Sequence, residues 1–151
     1  MTAKQQLEQF LSRYDPEVAR TARRALTNMR KRLPGAVELV YDNYNALAIG
    51  FGPSERASEA IFSIALYPRY VSLFFLQGAK LPDPEKLLQG SGNVVRFIRL
   101  DEAGLLDKPE ICELMNHALR HAKVAIDTKQ PRKLIIKSVS AKQRPRRSTK
   151  K

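Results

Sequence analysis

The chain reads as an α+β domain: an antiparallel β-sheet with N-terminal helices and a C-terminal helix packed on one face. Three observations predict it. Residues 60–76, AIFSIALYPRYVSLFFL, alternate large apolar with smaller side chains about a Pro68-Arg69 turn, the signature of a hairpin. Apolar residues recur every three or four positions in two stretches before it and one after it, the signature of amphipathic helices. The elements come in blocks, helices then strands then a helix, rather than alternating as a parallel α/β sheet requires.

Leu7, Phe10, Leu11 and Tyr14 predict a short first helix. Asp15-Pro16 restarts the chain, and Val18, Ala22, Ala25, Leu26, Met29 and Leu33 form the stripe of a second helix, which Pro34-Gly35 stops. Residues 37–41 and 45–51 read as strands around an Asp42-Asn43-Tyr44 turn. In the hairpin, Tyr67 opposite Tyr70 places Phe62, Ile64, Leu66, Val71, Leu73 and Phe75 on one face. A one-residue slip would move all six into water, so the register is well specified. Residues 84–88 suggest one helical turn, 93–100 a further strand, and 108–126 a helix with Ile111, Leu114, Met115, Ala118, Leu119, Ala122, Ala125 and Ile126 buried. Lys133–Val139 is a β-prone island that either joins the sheet or does not.

The charge is uneven. The protein has 27 Lys and Arg against 15 Asp and Glu, net +12, and residues 128–151 contain ten of the cations and no acid. Residues 140–151 offer no core residue to bury, so the expected organisation is one domain over 1–139 and a disordered basic tail over 140–151. Such a tail attracts phosphate polyanions by counterion release, which makes Lys142, Arg144, Arg146, Arg147, Lys150 and Lys151 candidate nucleic-acid contacts.

A single cysteine, Cys112, excludes an intrachain disulfide and a Cys-rich zinc site. There is no apolar stretch of the ~20 residues a membrane span needs and no signal-like N-terminus, so a cytoplasmic protein with no membrane partner is expected.

These pieces resemble the YdhG-like domain family. The resemblance rests on Leu33-Pro34-Gly35-Ala36-Val37-Glu38 closing the helical N-terminus, the strand pair over 41–51, the hairpin over 64–75 and the glycine-bearing stretch 89–100, and it spans roughly residues 4–122. It implies an αβ-sandwich with an antiparallel sheet. Some members are described as frataxin-like iron chaperones, which sets an intracellular iron chaperone as the alternative function.

The chemistry-bearing residues point to binding rather than catalysis. There is no Gly-x-Ser-x-Gly, phosphate-binding glycine loop or His-Glu-x-x-His. Glu113, His117 and His121 share a helical flank at metal-like spacing, but the same pattern describes a solvated flank. The first two helices carry many arginines and few carboxylates, the wrong charge for iron capture. No catalytic residue, metal site or cofactor is therefore assigned. The second sheet face is the better candidate: Ala46, Ala48, Gly50, Ser63, Ala65 and Ser72, bordered by Tyr41, Tyr67, Tyr70 and Arg96 or Arg99, would make a shallow ligand groove with an anion-binding corner. The expected function is a non-enzymatic binding domain of unknown ligand whose tail contacts nucleic acid or another polyanion weakly.

Overall fold

Helix α1 (Ala3–Ser12) begins with a capping box, in which Thr2 Oγ1 accepts from the Gln5 amide at 3.1 Å and Gln5 Oε1 accepts from the Thr2 amide at 2.8 Å. Helix α2 (Pro16–Arg32) opens on proline and Glu17 and closes on Arg30, Lys31 and Arg32, charges that match its dipole at both ends. Its buried stripe is rich in alanine (Ala19, Ala22, Ala25), and these small side chains permit close packing. Gly35, at φ +81°, then turns the chain where a Cβ would stand 2.1 Å from the carbonyl oxygen of Asp127, so only glycine fits. The computed structural model describes residues 1–101 and 103–148.

Strands β1 (Val37–Asp42), β2 (Leu47–Gly52), β3 (Phe62–Leu66), β4 (Val71–Phe75) and β5 (Arg96–Leu100) form an antiparallel meander. Helix α3 (Pro109–His121) follows, and β6 (Lys133–Val139) completes a six-stranded sheet of order β5-β4-β3-β2-β1-β6. The β3–β4 pairs Phe62 with Phe75, Ile64 with Leu73 and Leu66 with Val71, the predicted register, and the Tyr67 amide donates to the Tyr70 carbonyl at 2.9 Å across a two-residue turn. All six of those apolar side chains are buried in one core with the stripes of the helices. At about 2 kcal/mol each, they make this ribbon the centre of the domain.

Several elements differ from expectation. The island over 133–139 does join the sheet, but parallel to β1, from Val37 beside Lys133 to Asp42 beside Val139. Helix α3 ends at His121 rather than 126 because Ala122 turns extended, and the chain returns to dock on Gly35 and Pro53, whose carbonyls both accept from Gln130 Nε2 (2.7 and 3.0 Å). Residues 84–88 form a non-helical turn held by Asp83, whose carboxylate accepts from the Leu87 and Leu88 amides. The last strand of the meander starts at Arg96, not 93.

The largest correction concerns the C-terminal segment, expected to be disordered from residue 140. Residues 140–148 instead lie against the domain. The Ser140 and Arg144 amides donate to the carbonyls of Asp42 and Tyr44, both at 2.9 Å, and Ser148 Oγ donates to Asp15 Oδ2 at 2.8 Å. The reason is electrostatic. Asp42 is 1% exposed on the helix-covered side of β1, and a buried carboxylate needs a countercharge. Arg146, itself 6% exposed, supplies it at 2.9 Å. No described helix is long and apolar enough to cross a membrane.

Candidate functional site

The strand register sorts every sheet residue to a face. Because β2 pairs Ala48 with Ala65, β4 pairs Ser72 with Ala65, and β5 pairs Arg99 with Ser72, these small residues form a row on the face away from the helices, with Arg99 at its β5 end. The next row holds Gly50, Ser63, Phe74 and Phe97. Large side chains therefore surround a floor of small ones. The result is a concavity of about 560 Å³ lined by Ala46, Ala48, Ser63 and Ala65 below and by Tyr44, Tyr67, Phe74 and Leu76 at the sides, with Asn43, Asn45 and Ser140 completing it.

Aromatic contacts hold the walls. Tyr67 and Tyr70 pack with ring centroids 4.9 Å apart, and Phe74 packs on Phe97 at 5.4 Å. The Arg99 guanidinium lies 4.1 Å from the Tyr70 centroid, a cation–π contact at the β5 edge. Burial, and then the neighbouring Tyr70, push the Tyr67 phenol above its ordinary range, so it presents a neutral O–H.

Of the four ligand-groove residues expected from sequence, the structure brings only Tyr67 to the groove lining. Tyr70 supports it from behind but lines a separate cleft of about 140 Å³ between Glu17, Thr21, Arg69 and Asp101. Tyr41 is on the same face, beside Ala48, with its hydroxyl buried and without a hydrogen-bond partner among the described residues. Arg96 does not belong there. It pairs with Phe75, on the helix-covered side, and its Nη1 donates to the carbonyls of Gly92 (2.5 Å) and Val95 (2.8 Å). Arg99 is the arginine on the open face. The sequence predicts Tyr44 only as a turn residue; the one signal that it lines the site is its place two residues before Ala46, at the mouth of β2.

The basic segment meets this groove. Ser140 lines it, and the Arg144 guanidinium lies 5.7 Å from the centroid of the Tyr44 ring, which is 48% exposed. Lys142 and Arg144 are exposed. Arg146 is corrected from a candidate nucleic-acid contact to an internal clamp: it donates to Asp42 Oδ1 and to the carbonyls of Asn43 and Tyr44, leaving no face for a ligand. Arg147 is exposed but directs its guanidinium to the C-terminal carbonyls of α1, Ser12 and Arg13, at 3.3 and 3.1 Å. Lys150 and Lys151 lie outside the described residues.

The helical flank is occupied by its own members. Glu113 is 3.3 Å from His117 and 3.6 Å from Arg120, and the His117 and His121 rings stack. Among the described residues no group of three or more His, Cys, Asp or Glu stands together as a metal-binding set. Cys112 Sγ accepts from Arg32 at 3.0 Å in a cluster with Asp107, whose carboxyl is held low by hydrogen bonds from Asn28 and then Arg32. No family model, curated protein or solved structure matches the chain.

Proposed function

We propose that the chain is a small non-enzymatic binding domain of the YdhG-like kind whose basic C-terminal segment contacts nucleic acid or another polyanion. One observation carries this reading. From 128 to 148 the chain holds eight cations and no acid, seven of the eight are exposed, and β6 together with the Arg146–Asp42 pair ties the segment to the domain at both ends. Cations at fixed positions bind phosphates with less ordering cost than the same cations on a free chain. Glu55, 3.7 Å from Lys133, competes for that cation. The iron-chaperone alternative has less behind it, since the arginine-rich helices repel cations and Glu113 already faces a histidine and an arginine.

The test is a titration of RNA and of duplex DNA into the full chain at two salt concentrations, repeated with Lys137, Lys142 and Arg144 changed together to alanine. Binding should weaken steeply with salt, by close to one power of salt concentration per phosphate contacted, and the triple variant should show a shallower slope. Affinity that is insensitive to salt would remove the reading. Truncation at 140 is a poor substitute, because it also takes Arg146 from Asp42.

A further inference from the structure

Resting on that polyanion reading, we infer that the open sheet face is a base-stacking platform and that the preferred ligand is single-stranded nucleic acid, with bases in the groove and phosphates along the basic segment. Composition of the segment does not suggest this, because residues 128–151 contain no aromatic side chain. Tertiary structure supplies what the segment lacks by laying it beside Tyr44 and the groove.

Three features of the groove favour bases over a bare polyanion. Its floor of Ala48, Ser63 and Ala65 lets a flat ring approach the sheet. Tyr67 at the β3–β4 turn and Phe74, both in the groove lining, stand four residues apart along the strands, about 13 Å, room for two or three bases at the ~3.4 Å spacing of a stacked strand. Asn43 and Asn45 at the rim carry carboxamides, which both donate and accept toward a base edge. Polyphosphate uses none of these. A duplex uses few of them, since its bases are already stacked inside.

Charge complements the walls. Arg144 lies over Tyr44, so the flank of the groove beside the basic segment carries a cation within reach of a strand's phosphates, whereas Arg99, over Tyr70, lines the neighbouring cleft. Stacking with adjacent arginine is the usual means by which proteins hold single strands with little sequence preference.

The experiment compares three probes by competition in fluorescence anisotropy: an unpaired oligonucleotide of about ten residues, its full duplex, and inorganic polyphosphate. The wild-type chain, Tyr44→Ala and the double variant Tyr44→Ala/Phe74→Leu are measured at one low and one moderate salt concentration. Tyr44 is half exposed, so its removal leaves folding intact, and leucine keeps the apolar bulk at position 74; a thermal melt checks both. The single strand should bind about tenfold tighter than the duplex, and the double variant should lose about tenfold for the single strand while polyphosphate binding stays unchanged. Equal affinity for single strand and duplex, or an unaltered single-strand affinity in the folded variants, overturns the stacking inference while polyphosphate binding preserves the reading beneath it. Failure of the wild-type chain to bind any of the three probes overturns both.

Discussion

Glu38 and Asp42 sit four residues apart on β1, both 1% exposed and both on the side the helices cover. Each is neutralised by an arginine, in different ways. Glu38 receives two parallel bonds of 2.9 Å from Arg30, only eight residues back in α2. Asp42 receives Arg146 from 104 residues ahead, with Arg13 at 3.4 Å. Arg30 keeps 31% of its side chain exposed, whereas Arg146 keeps 4%. The first pair is local and partly wet; the second is distant and dry. The same local feature, an acid on the apolar face of a strand, can thus be closed by a neighbouring helix or can recruit the far end of the chain.

The largest effect is expected at the dry pair. Arg146→Ala leaves a buried carboxylate with only a partly exposed Arg13 beside it, and should cost about 3–5 kcal/mol in urea unfolding. Adding Asp42→Ala to that variant should recover part of the loss, because the second substitution removes the uncompensated charge. Equal destabilisation by single and double variants would mean that the segment docks for reasons other than this pair. At the wet pair, Arg30→Ala should cost less, about 2 kcal/mol, because water reaches the vacated side. If the two arginine variants proved equal, exposure of the partner would not be what separates the two acids.

Tyr14 links the dry pair to pH. Its ring lies 5.8 Å from the Arg146 guanidinium, and its hydroxyl donates to the Leu66 carbonyl and accepts from the Leu47 amide, both at 3.1 Å. Burial is the main cause that pushes this phenol up to about 12 from an ordinary 10.0, with Arg146 opposing. The folded state therefore holds its proton more tightly than the unfolded state. The resulting stability is intact below pH 10 and declines as pH rises toward 12. Tyr14→Phe should unfold at lower urea near neutral pH, having lost two hydrogen bonds, and should lack that alkaline decline. An identical alkaline slope in both proteins would assign the decline to other groups.

The smallest effect is a gain. The Tyr41 hydroxyl is buried without a hydrogen-bond partner among the described residues, so Tyr41→Phe should stabilise by about 1 kcal/mol, read as a higher melting temperature. A loss instead would show that the hydroxyl is bridged by water.

Much of the fold was legible before any coordinates. The hairpin register follows from side-chain period alone, because only one alignment buries Phe62, Leu73 and Phe75 together. The second helix was equally plain, bounded by Asp15-Pro16 and Pro34-Gly35. The groove is legible in the sequence in most of its floor, whose small residues alternate with the core, but in its walls only at Tyr67. Arg96 belongs to the other face, as its alternation with Phe97 and Arg99 dictates. Tyr44 carries no such signal, because a turn residue has no periodicity to read.

By itself, the amino-acid order determined the α+β class, the central ribbon and which face of it is greasy, since these depend on periods of two and 3.6 residues that any short window displays. Only tertiary structure decided that β6 pairs parallel with β1, that α3 stops at His121, and that a segment without a core residue docks through Arg146. A buried charge selects its partner by proximity in space, and a sequence separation of 104 between Asp42 and Arg146 leaves no local pattern of that choice.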